Sequence, residues 1–431
     1  MGTIIKNIDV ITCNDSDDVI TNTNLGIKDG YIEFVGAEQK ELDKFSANKI
    51  IDGEGSLAVP GFVNSHTHSG MTLLRNFAND LALEEWLFKN VFPMEEKLSP
   101  RDVYWGSLLG IAEMIRTGTT TFADMYLYME QVAQAVMETG IRANLCRSPL
   151  KDGNDSVDDH IRCFDYFREW NNHADGRIKV YVEVHSVYLF DEISLKKSAQ
   201  IAKELKTGIH IHILETLGER EESIKKYGMS PAQICLKTGV FDVPVIGAHC
   251  IHLSPDDMDI IKEKKINVAH NPTSNLKLGS GIARINEMLE AGINVSLGTD
   301  GAASNNNLNM LEEMHLAALI HKGVHGDPLL LKAKQVLKMA TSNGAKALGF
   351  EGEIGMIKEG MKADIILINT DKAHLCPLND PVSAMVYSVQ GSDVETVIID
   401  GKIVMEKGEL KTIDEEKVKY KVRQIAKRVL S

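Results

Sequence analysis

The apolar positions change their period twice along the chain. In residues 1–58 they alternate over short runs bounded by turn residues: Thr3–Thr12, Leu25–Lys28, Tyr31–Gly36 after a Lys28-Asp29-Gly30 turn, and Lys49–Asp52. Such runs predict strands, because successive side chains of an extended backbone point to opposite faces. The same texture returns in Asp364–Ile368, Val394–Ile399 and Lys402–Glu406, the last two joined by an Asp400-Gly401 turn. Two β-rich ends around a different middle predict one small β-sandwich domain built from residues 1–58 and 358–431.

Between them, over residues 59–357, short apolar runs alternate with stretches of helical period. The runs are Gly61–Asn64, Thr119–Asp124, Arg142–Cys146, Lys179–His185, Gly208–Leu214, Val243–His249, Ile266–His270 and Asn294–Gly298. Helical spacing marks Arg101–Thr117, Glu130–Thr139, Leu195–Lys206, Pro255–Lys264 and Ile282–Ala291. Eight alternations over roughly 300 residues predict an α/β fold, a parallel (β/α)8 TIM-type barrel. An open doubly wound sheet is the weaker reading. Gly53-Glu54-Gly55-Ser56-Leu57-Ala58 lacks the third glycine of a dinucleotide fingerprint and precedes a strand.

Composition and charge narrow the partners. A chain of 431 residues, 43% hydrophobic and 25% charged with 11 prolines, can bury a large core. With 47 Lys+Arg against 61 Asp+Glu the formal charge is −14, which repels phosphate backbones and anionic lipid. No nucleic-acid or membrane partner is expected. The basic cluster Lys417, Lys419, Lys421, Arg423, Lys427 and Arg428 is interleaved with Glu415, Glu416 and apolar residues, and reads as the solvated face of a last helix. Six scattered cysteines without a C-x-x-C pair argue against a disulfide framework and a structural zinc knot. The segment Met1–Asn7 has no basic region leading into an apolar core, so the expected location is the cytoplasm.

The chemistry sits at strand ends. The first barrel strand runs into Asn64-Ser65-His66-Thr67-His68, whose two histidines, two residues apart, project together at the C-terminal mouth where barrel active sites lie. A lone H-x-H is weak evidence, but three more strands end on ligand-type residues. The fifth carries His210, His212 and Glu215, the sixth ends on His249, and the eighth ends at Thr299-Asp300-Gly301. His210 sits deeper in its strand and reads as a packed polar residue; His252 reads as loop surface.

These motifs, with Pro60-Gly61-Phe62-Val63 ahead of the H-x-H, resemble the amidohydrolase superfamily over nearly the whole chain. Trp86, Glu95, His185 and the segment His270–Leu278 resemble in particular its aminopurine deaminases, which act on S-adenosylhomocysteine, 5′-methylthioadenosine, 5′-deoxyadenosine and adenosine. The resemblance implies that His66, His68, His212 and Asp300 bind one divalent metal, Zn²⁺ first, with Fe²⁺ or Mn²⁺ accepted by the same donors. It also implies that Asp300 takes a proton from the attacking water, His249 orients that water, and Glu215 shuttles a proton to the ring. Binuclear members carry a carboxylated lysine at the end of strand four. Here that end is His185, and Lys179 lies at the strand's other end, so one metal is expected.

On the substrate side, Trp86 would lie against the nucleoside, Glu95 would accept ribose hydroxyls, and His185 would bond the ribose or a ring nitrogen. Arg147 would pair with a substrate carboxylate, in its own or a neighbouring subunit's site, or serve in a structural ion pair; Arg162 is a weaker candidate. Ser304 would hold a loop or touch substrate. A homo-oligomer is implied by the resemblance as well. Two rival readings share the fold: hydrolysis of guanine, cytosine or s-triazine rings, and a non-catalytic scaffold. The scaffold reading fits poorly, because such proteins lose metal ligands and none is lost here. The H-x-E with P-C-x-x-C of cytidine-type deaminases is absent.

Overall fold

Eight parallel strands follow one another in chain order around a barrel: Phe62–Thr67, Thr119–Asp124, Arg142–Arg147, Ile178–Val184, Ile209–Ile213, Val245–His249, Asn267–His270 and Val295–Leu297. The computed structural model describes residues 2–430 apart from 15, 17–18, 37–41, 43, 152–153 and 156. Strands two and five are buried along their whole length, as expected of a parallel sheet wrapped by helices. The seam between strands eight and one is stitched largely by side chains. Asp300 N–H donates to His66 O at 2.9 Å, Thr299 N–H to Asn64 Oδ1 at 2.9 Å, and Asn64 Nδ2 to Thr299 Oγ1 at 2.7 Å. Gly298 makes that approach possible, since a Cβ there would lie 2.5 Å from Asn271 Oδ1 and 2.8 Å from the His66 backbone nitrogen.

The helices start where the sequence supplies caps. Ser99, Ser230 and Ser254 each precede a proline, and each forms a reciprocal capping box with Asp102, Gln233 or Asp257 three residues on. The Pro100–Arg116 helix then buries Val103, Ile111, Met114 and Ile115 against the barrel.

The N-terminal end of the barrel is closed. Helix Ser342–Ala347 lies under it, with Ala345, Leu348 and Phe350 packed on Val63, Cys146 and Tyr181. Here the fully buried Arg142 reaches the residue that leads into strand Ile365–Asn369, with Nε and Nη2 at 2.9 and 3.0 Å from the two oxygens of Asp364. Asp400 lies 3.7 Å from the same guanidinium and 2.9 Å from Lys362 Nζ.

The sandwich expected from both termini is one hydrogen-bonded sheet of nine strands. Strand Ser56–Pro60, unanticipated from the sequence, is its junction: it pairs parallel with Gly2–Ile11 and antiparallel with Ile365–Asn369. The sheet folds over itself. Ile32 N–H donates to Met361 O at 2.8 Å and Ala363 N–H to Gly30 O at 2.9 Å, enclosing a separate core around Ile5, Ile8, Leu25, Ile27, Ile365 and Ile398. The last helix, Glu415–Val429, buries Val418, Val422, Ile425 and Val429 and packs on Pro100–Arg116, while Lys417, Arg423, Lys427 and Arg428 face outward. Among the described residues no helix is long and apolar enough to cross a membrane.

Candidate active site

The barrel brings the strand-end residues together at its C-terminal mouth. His66 Nε2 lies 3.6 Å and His68 Nε2 3.2 Å from Asp300 Oδ1. His212 Nε2 faces His68 Nε2 at 3.3 Å, and His249 offers a nitrogen within 4.8 Å of those of His66 and His212. All five side chains are buried.

Their outer nitrogens fix their inner ones. His68 Nδ1–H donates to the Met125 carbonyl and His212 Nδ1–H to the His185 carbonyl, the latter at 2.8 Å. A carbonyl only accepts, so in the neutral rings both Nε2 atoms are lone pairs pointed at each other. That geometry calls for positive charge between them. Burial opposes a proton on His68, yet the hydrogen bond and charge of Asp300 raise His68 to about 9. A divalent cation fits the same place, and the buried His66 Nε2, which has no hydrogen-bond partner, is a ready third donor.

Asp300 is set for an acceptor role. Burial would raise its carboxyl, but the bond and charge of His68, with His66 and His249, hold it well below the usual carboxylate range. Ser274 Oγ donates to its Oδ2 at 2.6 Å and Gly301 N–H to its Oδ1 at 2.7 Å. The backbone around it is strained: Leu214, His249 and Asp300 sit at φ of 54°, 73° and 62°, a left-handed region costing a non-glycine residue about 1–2 kcal/mol.

Glu215 sits across from Asp300. Its Oε1 accepts from Ser280 Oγ at 3.1 Å and its Oε2 lies 3.7 Å from His249 Nε2. Burial, the largest influence, raises its carboxyl, so it holds a proton more readily than an exposed glutamate. His249 is itself oriented by Asn275 Oδ1, 2.7 Å from its Nδ1.

A cavity opens above these groups, lined by Trp86, Leu87, Phe92, Glu95, Tyr188 and Leu278 as well as by the histidines. Trp86 belongs to a π-helical segment, Glu85–Val91, that runs straight into Phe92–Glu95, and such widened turns recur at functional sites. The Trp86 Nε1 and Glu95 Oε1 atoms are buried without a hydrogen-bond partner. Burial pushes the Glu95 carboxyl up to about 7, against the pull of the Tyr126 hydroxyl. His185 borders the cavity, and burial, reinforced by His68, holds it neutral by lowering it to about 3.

Arg147 lies at the edge of the site. Cys146 faces the barrel interior, so the alternation of a strand turns Arg147 toward the helix layer, where its Nε lies 3.7 Å from Glu130. Within the single chain that contact is an ion pair, and Arg147 also acts electrostatically on Glu183, which lines the cavity. Arg162 is exposed on helix Val157–Trp170. Ser304 holds the loop after strand eight, donating to Gly301 O at 3.2 Å. Lys179 lies at the closed end, 2.8 Å from Glu353. His252 is half-buried and bonds Ser280 O at 2.8 Å, placing it behind the serine that holds Glu215.

Glu183 and Ser280 are not singled out by the sequence, and Ser274 and Asn275 only as part of the segment His270–Leu278. Glu183 lines the cavity two residues before His185, and burial, opposed by Arg147, brings it to about 7; strand alternation alone pointed to it. Ser274 and Asn275 reach the site from the short helix Pro272–Lys277 after strand seven and Ser280 from the loop beyond it, and no spacing rule links them to Asp300, His249 or Glu215.

Fold and site together are those of a (β/α)8 hydrolase-type barrel with a candidate metal centre at its mouth. The chain belongs to the amidohydrolase family, whose profile matches residues 57–404. It is 72% identical over 430 residues, 100% of each chain, to the 5-methylthioadenosine/S-adenosylhomocysteine deaminase of Acetivibrio thermocellus. A zinc-bound adenosine deaminase from Xanthomonas campestris superposes with a TM-score of 0.95 at 29% identity, covering 99% of this chain and 98% of that one. A zinc complex of atrazine chlorohydrolase from Arthrobacter aurescens superposes with a TM-score of 0.89 over 98% and 100% of the two chains, but at 24% identity, a likeness of fold alone.

Proposed function

We propose that the chain is a metal-dependent deaminase that converts adenosine-type nucleosides, among them S-adenosylhomocysteine, 5′-methylthioadenosine, 5′-deoxyadenosine and adenosine, to their inosine analogues and ammonia. The observation that carries this reading is the pair of inward lone pairs on His68 and His212, 3.3 Å apart beside Asp300, beneath a cavity whose buried Trp86 and Glu95 have unpartnered polar atoms. Full-length likeness to the Acetivibrio thermocellus enzyme supports the substrate class.

His66, His68, His212 and Asp300 would hold one divalent ion, Zn²⁺ by the nitrogen and carboxylate donor set, with Fe²⁺ or Mn²⁺ compatible. When bound, the ion supplies an acidified water nucleophile at neutral pH. The chain's own residues do the rest. Asp300, held ionised by its histidines, accepts the water proton. His249, fixed through Asn275, orients the attacking oxygen. Glu215 delivers a proton to the ring nitrogen beside the amino-bearing carbon, which makes that carbon electrophilic. The new C–O bond forms, a proton passes to the amino group, and the C–N bond breaks to release ammonia. Trp86 packs on the purine, Glu95 accepts from the ribose hydroxyls, and His185, neutral, bonds the ribose or ring edge. Family likeness also supports a homo-oligomer located in the cytoplasm, which sedimentation and cell fractionation test.

The substrate reading is tested by ammonia release from adenosine, 5′-methylthioadenosine, S-adenosylhomocysteine, guanine, cytosine and an s-triazine. Turnover of the first three is expected. Turnover of only the last three would replace the nucleoside reading by its rival.

A further inference from the structure

His210 is fully buried and belongs to no catalytic role, yet it is placed with care. Its Nε2 lies 2.9 Å from His66 Nδ1 and its Nδ1 lies 3.4 Å from Cys146 Sγ. The three residues form a chain from the barrel interior to the mouth: Cys146 on strand three, His210 on strand five, His66 on strand one. At its far end His66 Nε2 is the buried nitrogen without a partner.

Hydrogen-bond bookkeeping allows this chain two states. In one, His66 Nδ1–H donates to His210 Nε2, His210 Nδ1–H donates to Cys146 Sγ, and His66 Nε2 is a lone pair facing the mouth. In the other, Cys146 S–H donates to His210 Nδ1, His210 Nε2–H donates to His66 Nδ1, and His66 Nε2 carries the proton. The second state closes His66 to a metal and leaves a buried donor without an acceptor at bonding distance, because Asp300 Oδ1 is 3.6 Å away.

We infer that His210 is a positioning residue that fixes the His66 tautomer, with Cys146 as the terminal acceptor, so that His66 Nε2 is presented to the metal as a lone pair. His68 and His212 obtain the same result from backbone carbonyls, which can only accept. His66 alone depends on a side chain that can work either way. The inference rests on the metal reading of the site, and predicts that His66 is the ligand most sensitive to substitution behind it.

Zinc affinity, measured by chelator competition on the full-length protein, and the visible spectrum of the Co²⁺-loaded protein provide the test. His210→Phe keeps the ring volume but removes the acceptor, and is expected to weaken zinc binding about 10- to 100-fold, the usual cost of losing such a partner. His210→Gln, whose carbonyl oxygen reaches the Nε2 position, is expected to restore most of the affinity and the wild-type Co²⁺ band. His210→Asn, whose carbonyl falls short, is expected to behave like His210→Phe. Equal zinc affinity in wild type and His210→Phe would overturn the inference. If His210→Phe does not fold, the contrast of Gln against Asn decides it, and equality of those two overturns it. A wild-type chain that binds no zinc would overturn the metal reading as well.

Discussion

The two ends of the barrel bury charge for opposite purposes. At the closed end Arg142 meets Asp364 in a two-point pair, with Asp400 3.7 Å away, so opposite charges from the chain itself are in contact, although Arg142 Nη1 has no hydrogen-bond partner and Asp400 sits at φ 51°. At the mouth Asp300 and three histidines face one another across a shared point, with His66 Nε2 unpartnered and His249 and Asp300 in the left-handed backbone region. Burial is the same at both ends; what differs is that one sets opposite charges in contact, whereas the other gathers nitrogen lone pairs and a carboxylate around one point. A buried charge paired within the chain ties the barrel to the nine-stranded sheet, and a buried cluster of nitrogen lone pairs and a carboxylate suits a cation.

The sharpest way to break the contrast is at Glu215. Glu215→Gln is expected to lower kcat by about 10²–10⁴-fold, the range of general acid–base catalysis, with zinc content and melting temperature near wild type. Full turnover in that variant would remove the proton shuttle from the account. Next comes the closed end, where Arg142→Met strands Asp364 and is expected to cost about 3–5 kcal/mol in chemical denaturation while the folded enzyme keeps its kcat. A loss of kcat without loss of stability would show that the two ends are not separate in purpose.

Glu95→Gln comes third. It removes the charge from a proposed pair of ribose hydrogen bonds, and KM for adenosine is expected to rise about 10-fold with kcat little changed, in line with about 1.5 kcal/mol for a bond to a charged acceptor. An unchanged KM would take Glu95 out of the substrate site.

The smallest effect concerns Glu219, buried behind Glu215 and accepting its N–H at 2.9 Å. Burial lifts its carboxyl from 4.5 to about 8. The folded state therefore holds this proton more tightly than the unfolded one. Its contribution to stability is full below about pH 4.5 and is lost as pH rises toward about 8. Thermal melts are expected to show Glu219→Gln losing less stability than wild type between pH 5 and 8. Parallel pH profiles for the two proteins would refute this.

Much of this was legible in the chain itself, for reasons that differ by element. Thr119–Asp124, Val394–Ile399 and Lys402–Glu406 end where the sequence analysis ends them, because β-branched runs flanked by turn residues leave little choice. The H-x-H pair and Asp300 were found because strand alternation and barrel polarity are local rules with long-range consequences. Ser56–Pro60 is not evident from the sequence because the glycines Gly53 and Gly55 precede it and its pairing partner Ile365–Asn369 lies some 300 residues away in the chain. Arg147 ends strand three, and its place beside Glu130 and near the cavity-lining Glu183 depends on the helix layer and strand four, which the strand pattern alone does not show. His210 is a buried polar residue deep in its strand, and its bond to His66 joins two strands that are not sequence neighbours, so only the closed barrel brings them to 2.9 Å.

The most direct test of the central claim is a zinc titration of chelator-stripped protein, with ammonia release from 5′-methylthioadenosine measured at each step. The account predicts no turnover without metal, a rise that saturates at one ion per chain, and one inosine analogue formed for each ammonia. Turnover in the stripped protein, or saturation only at two ions per chain, would contradict it.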